Sequence, residues 1–191
     1  MSDSLMTYDQ IDRNALTPMM LQYLEMKVGC EDAILMFRLG DFYEMFFDDA
    51  ITASKVLELA LTGRDCGLAC RAPMCGVPHH AATNYMQRLL SAGYKVAICD
   101  QIEDPATAKG IVKRAVTRIL TPGTSIDLSL FDEKKNNFLV CIYRVGMQFA
   151  VAAADIATGE IEVTQLVMGN TQVQLLNLLM RYSPSEIICN P

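Results

Sequence analysis

The sequence predicts an α/β (α+β) chain, and three observations predict it. Short apolar runs of strand length, such as Ala33–Leu39 and Tyr94–Asp100, are interleaved with segments of helical period. The run Thr121-Pro122-Gly123-Thr124 breaks the chain, and the polar stretch to Asn136 reads as a linker, so a domain boundary belongs there. Beyond it a β-β-β-α-β order opens an α/β layered domain and stops before completing one. The 191 residues are therefore expected as a fragment of a longer protein. The expected parts are a loose leader (1–16), a first domain (17–124), a linker (125–136) and a truncated second domain (137–191).

Thr17-Pro18 reads as an N-cap followed by proline at the first helical position. Met20, Tyr23, Leu24 and Lys27 then keep helical spacing, and Gly29 ends the helix. Ala33–Leu39 is a buried strand, Gly40-Asp41 a tight hairpin turn with glycine first, and Phe42–Phe47 the returning strand. Asp48 and Asp49 are placed to cap a helix whose apolar face is Ala53, Val56, Leu57 and Ala60. Leu59–Thr62 drifts into extended structure, and Gly63–Pro78 reads as irregular, rich in Gly, Pro and Cys. A second amphipathic helix runs from about His80 to Ala92 and stops at Gly93 in the C′ position. Tyr94–Asp100 and Ile111–Leu120 are strands. In the last part Asn137–Arg144, Gln148–Asp155 and Glu160–Val167 form an antiparallel meander through turns at Val145-Gly146 and Thr158-Gly159. Thr171–Tyr182 is a helix, and Glu186–Cys189 begins another strand.

Hydrophobic residues make up 51% of the chain and charged ones 20%, the balance of a globular protein with a real core. No run approaches the roughly 18 apolar residues of a membrane span. The N-terminus lacks a basic start and an apolar signal core, so a cytoplasmic setting is expected. The seven cysteines, irregularly spaced, read as buried free thiols in a reducing compartment, with Cys99, Cys141 and Cys189 in apolar contexts. A net charge of −6 argues against nucleic acid, since non-specific affinity comes mainly from neutralised phosphates. Locally, Lys109, Lys113, Arg114 and Arg118 fall together and can form a basic face, or merely a solvated surface.

The most informative segment is Arg38-Leu-Gly-Asp-Phe-Tyr-Glu-Met-Phe46. Side chains two apart on a strand share a face, so Phe42 and Glu44 project together just after the turn, opposite Tyr43 and Met45. A phenylalanine can push between base steps and kink a duplex from its minor groove, at a cost on the order of a few kcal/mol per step. That cost is least where pairing is already faulty. A carboxylate is repelled by phosphates and helps only where a displaced base offers a donor, or where it is itself protonated. Against a well-paired duplex it is a penalty. Read from periodicity alone, the pattern favours Phe42 packed in a core and Glu44 as a solvated edge residue.

The same segment resembles the mismatch-recognition signature of the MutS family, whose Phe-x-Glu pair falls on Phe42 and Glu44. Four further blocks are similar to that family: Thr17-Pro-Met-Met-Leu-Gln-Tyr-Leu24, Pro73-Met-Cys-Gly-Val-Pro-His-His80, Val96-Ala-Ile-Cys-Asp-Gln-Ile102 and Thr121-Pro-Gly-Thr124. The resemblance implies a first domain with a mixed sheet and flanking helices, then the start of a connector domain with an RNase H-like layout. It implies recognition of mispaired or unpaired bases in double-stranded DNA, within a homodimeric clamp that works with downstream repair factors. Leu39, Asp41, Met74, Gly76, Pro78 and His79 fall in segments that, by resemblance, line the minor groove, and Arg64 is a candidate for a phosphate. The family's full-length members are DNA-dependent ATPases, but no G-x-x-x-x-G-K-[ST] run occurs here. ATP and Mg are thus expected only in an absent ATPase domain, with no catalytic site, cofactor or metal in this fragment.

Three other chemistries compete. Cys66, Cys70, Cys75 and His79 or His80 offer enough ligands for zinc, although C-x₃-C-x₄-C-x₃-H is not a compact paired spacing. Asp155, at a strand end before Glu160 and Glu162, resembles the first acid of an RNase H-like, metal-dependent nuclease, which would need further converging carboxylates. A cysteine hydrolase would need an activated thiol near His79 or His80, and no cysteine has such a setting.

Overall fold

In the computed structural model, which describes residues 11–104, 108, 110–124, 136–167 and 169–190, Thr17 and Pro18 open helix α1 (Pro18–Val28). Thr17 occupies the cap position without a side-chain cap bond. Strand β1 (Ala33–Leu39) runs into the hairpin partner β2 (Phe42–Phe46), which passes directly into helix α2 (Phe47–Leu57). Strands β3 (Thr62–Arg64) and β4 (Ala72–Pro78) follow, then a 3₁₀ turn (His79–Ala81), helix α3 (Ala82–Ser91) and strands β5 (Lys95–Gln101) and β6 (Arg114–Leu120). Gly93 takes a positive φ of 88° just past α3, as expected of a C′ glycine. The chain folds as two compact units, Met1–Leu120 and Thr121–Pro191. Residues 1–10 of the expected leader, Lys109, and 125–135 of the expected linker lie outside the described residues.

The sheet of the first unit has the order β3-β4-β2-β1-β5-β6, with β1 and β5 parallel and the remaining pairs antiparallel. This is the mixed sheet with flanking helices that the family resemblance implies. One face carries Leu35, Phe37, Phe46, Ala72, Ala97 and Cys99 against Met20, Tyr23 and Leu24 of α1. The Tyr23 ring meets Phe37 and Phe46 edge-on, at centroid distances of 5.5 and 5.0 Å. Helices α2 and α3 pack against β2, β4 and β5.

Three expectations need correction. Residues 11–16 are not all loose: Ile11 and Leu16 are buried in the core, because isolated apolar side chains find cover even in a polar segment. Gly63–Pro78 is irregular only over 65–71: Ala72–Pro78 is a strand paired to β2 from Phe42↔Pro78 to Phe46↔Met74. Glycine and proline lower strand propensity, but the tertiary pairing wins. Asp48 and Asp49 do not cap α2, and Ala60 lies past its end at Leu57. Beyond β6, Pro122 O accepts from Asn137 Nδ2 and Gly123 N donates to Glu186.

Asp49 has a different task. Its carboxylate is buried and accepts from Lys27 Nζ (2.9 Å), Leu35 N (2.9 Å) and Tyr23 Oη (3.2 Å). Lys27, read from spacing as one of the core-facing positions of α1, also donates to Ala33 O and Glu31 O. Burial pushes the Asp49 pKa up, while Lys27 opposes that shift.

In the second unit β7 (Phe138–Val145), β8 (Gln148–Asp155) and β9 (Glu160–Leu166) form the expected antiparallel meander. Strand β10 (Glu186–Cys189) adds parallel to β7 after helix α4 (Thr171–Tyr182), whose first turn is capped by Asn170 accepting from Val173 N. Val140, Val151 and Ala153 form its small core, with Leu175, Leu178 and Tyr182 packed on them. All seven cysteines are free, yet Cys70 and Cys189 are exposed, Cys189 because it sits on the edge strand β10.

Removing one member of a buried ion pair strands the other charge, at a cost of about 3–5 kcal/mol. Asp49→Ala is therefore expected to lower the stability of this chain by about that amount, read as a shift of the urea midpoint. A loss below about 1 kcal/mol would show that the pair carries little of the fold.

Candidate functional site

The β1–β2 hairpin turns at Gly40 and Asp41. Gly40 takes a φ of +56°, and a Cβ built on it would meet nothing within 4 Å. The glycine is thus there for its backbone conformation and not to make room for a neighbour. Directly opposite residues in an antiparallel pair share a face. Leu39 pairs with Phe42, and Phe42 pairs with Pro78 of β4, so an apolar residue flanks the ring on each side. Along this face of β2, Phe46 is buried, Glu44 is half-buried and Phe42 is 46% exposed. Among the described phenylalanines, only Phe42 is exposed.

Glu44 does not stand free. Its Oε2 lies 2.6 Å from Nη1 of Arg64 on the edge strand β3, with the two side chains 17% and 39% exposed. Gly76 is the residue opposite Glu44 on β4. A Cβ there would lie 3.3 Å from both Glu44 Cγ and Tyr43 O, so the glycine leaves room for the glutamate to lie across the sheet. Asp41 O accepts from His79 N (2.8 Å), and a recess of about 310 Å³ is bounded by Asp41, Phe42, Pro78, His79 and His80. The structure thus brings Leu39, Asp41, Phe42, Pro78 and His79 together at the tip, with Glu44, Gly76 and Arg64 one step behind. Met74 pairs with Phe46 further along and packs on the core.

The back of the same strand carries residues that the sequence pattern does not single out. Tyr43 is buried and its hydroxyl donates to Asp100 Oδ1 (2.6 Å), while Thr117 Oγ1 donates to Asp100 Oδ2 (3.0 Å). Burial, and then the carboxylate, hold the Tyr43 phenol well above its ordinary pKa. The His79 ring lies 5.4 Å from the Tyr43 ring. The alternation of β2 marks Tyr43 as inward-facing; no local signal marks Asp100 as its partner, because the two are joined only through β1 and β5. Arg114, expected on a basic face, is buried: it donates to Arg38 O (2.6 Å) and Gln22 Oε1 (2.8 Å) over the Phe37 ring. Lys113 and Arg118 remain exposed.

The competing chemistries find little geometry. Asp155 is buried, and its carboxylate accepts from Asn137 N, Ala157 N and Thr158 N, the role of a turn residue. Glu162 accepts from the Tyr182 hydroxyl. Cys66 Sγ points to Cys70 O and Cys75 Sγ to Ala50 O, and burial pushes the Cys75 thiol up to about 11. Among the described residues, no three His, Cys, Asp or Glu side chains gather as they would around a metal.

An exposed ring and a tethered carboxylate stand on one face of a hairpin tip backed by a mixed sheet, and these define an α/β module of mixed-sheet type. The chain belongs to the MutS family: the model for MutS domain I matches residues 17–129 and that for MutS domain II residues 137–191. It is similar to the DNA mismatch repair protein MutS of Ruminiclostridium cellulolyticum, at 59% identity over 92% of this chain and 20% of that protein. The MutS of Acetivibrio thermocellus is 58% identical over 92% of this chain and 20% of its own length. For that of Alkaliphilus oremlandii the values are 54%, 91% and 20%. The chain spans about a fifth of the length of these curated relatives.

A β-branched side chain at Gly40 meets no neighbour but is forced into the left-handed region, at a cost of about 1–2 kcal/mol. Gly40→Val is expected to lower stability by that amount and Gly40→Asn by clearly less, in parallel urea titrations. Equal losses would mean that backbone conformation is not what the glycine supplies.

Proposed function

We propose that the first unit recognises mispaired or unpaired bases in double-stranded DNA from the minor groove. Phe42 enters the stack as a wedge, and Glu44 hydrogen-bonds the displaced base. Membership of a family whose relatives are named DNA mismatch repair proteins supports the repair role. The observation that carries the wedge is the exposure of Phe42 at a hairpin tip, beside a carboxylate on the same face. Partial unstacking costs on the order of a few kcal/mol per step, and less where pairing is faulty, so the ring selects weak sites without reading sequence. Homodimer formation, ATP and Mg binding and contact with downstream repair factors belong, on this reading, to a protein of the relatives' length. No helix among the described residues is long and apolar enough to cross a membrane.

Losing an aromatic that stacks on a base costs about 1–3 kcal/mol, roughly a 5- to 150-fold change. In the full-length protein, Phe42→Ala is expected to lower affinity for mismatched duplex by that factor and leave matched-duplex binding nearly unchanged, measured at one fixed salt concentration. A variant that discriminates as well as the parent sinks the wedge. Glu44→Gln is expected to raise affinity for perfect duplex, so that the discrimination ratio shrinks; an unchanged ratio would deny Glu44 its role.

A further inference from the structure

The Glu44–Arg64 pair sets a condition that wedge insertion alone does not contain. A carboxylate turned toward phosphates is repelled, but paired at 2.6 Å with a guanidinium it presents no net charge. Arg64 is likewise unable to give its full charge to a phosphate while Glu44 holds Nη1. The two residues stand on different strands: Glu44 on β2 inside the sheet, Arg64 at the end of the three-residue edge strand β3. Gly76 lies between the rows of β2 and β3 and has no side chain to keep the partners apart. Arg64 is the more exposed partner, so its end is the one open to an approaching backbone.

We propose that Arg64 is a specificity-determining residue that acts through Glu44, as a partner exchanged when a displaced base is bound; this rests on the function proposed above. Against a matched duplex no base donor reaches Glu44, the pair persists, and Arg64 adds no phosphate contact. At a mismatch Glu44 turns to the displaced base, and the released guanidinium takes a backbone phosphate. Arg64 then strengthens binding only where the base is faulty. A fixed phosphate contact would strengthen both duplexes alike and carry no information.

Salt dependence separates the two cases, because each phosphate contact contributes about 0.9 to the slope of log affinity against log salt on B-DNA. The experiment measures that slope for mismatched and matched duplexes with the full-length protein and its Arg64→Gln, Arg64→Lys, Glu44→Gln and double Glu44→Gln/Arg64→Gln variants. Arg64→Gln is expected to lose about one contact's worth of slope on mismatched duplex and none on matched, with affinity for mismatched duplex falling about tenfold. Arg64→Lys, which keeps the charge, is expected to restore the slope. In the Glu44→Gln background Arg64 is free on both duplexes, so removing it is expected to lower both slopes equally. Equal loss on both duplexes with Glu44 intact, or no loss on either, overturns the exchange. Phe42→Ala measured alongside keeps the two ideas apart. If it loses discrimination while Arg64→Gln acts uniformly, only the exchange fails; if it keeps discrimination, the wedge itself has failed.

Discussion

A buried ammonium and a buried carboxylate tie together the elements that bracket the β1–β2 hairpin. Lys27 comes from α1, Asp49 from α2, and the backbone of β1 joins them through Leu35 N and Ala33 O. Tyr23 adds a hydroxyl that reaches both Asp49 and Phe46 O at the inner end of β2. Taking two ions from water costs several kcal/mol each, and such a pair persists only when its hydrogen-bonding capacity is filled. Here Lys27 has three acceptors and Asp49 three donors. The β1–β2 ladder closes at Phe37 and Glu44, and the carboxylate holds Leu35 just beyond it. The base of the hairpin is therefore fixed by bonds of definite direction, while its tip carries the ring.

Much of this fold was legible because local pattern and tertiary outcome agree. Pro18, the alternation of β2, Gly93 after α3 and the meander of the second unit were each readable from a few neighbouring residues. The failures have a common cause. Ala72–Pro78 contains two prolines and a glycine, so its propensity argues against a strand, and only its pairing with β2 makes it one. Asp49 lies in the first turn of α2, where an acid reads as a helix-start signal, and nothing local says that a lysine 22 residues earlier will claim it. Ile11 and Leu16 are single apolar residues without period, and their burial depends on a core assembled from distant segments.

The site divides in the same way. Two-residue spacing after a turn placed Phe42 and Glu44 on one face, as the strand pairing has them, and family resemblance supplied the role proposed for them. The partners of Glu44 and Tyr43 were not found, since Arg64 and Asp100 reach them across strand order and not along the chain. Arg114 shows the converse error: a charge counted toward a basic face turned out to be a buried strut between α1 and the end of β1. Charge counting sees residue types, and only packing decides which of them solvent or a ligand can feel.

The bond from Tyr43 to Asp100 has a mechanical meaning. Phe42 and Tyr43 are adjacent and point to opposite sides of one strand, so any load on the ring is passed through a single peptide to a phenol anchored in β5. The tip is held like a chisel in a vice. Duplex DNA, by contrast, is easily kinked at its flexible steps. On the function proposed above, the compliant body is the nucleic acid: it bends around an edge that this bond braces from the far side.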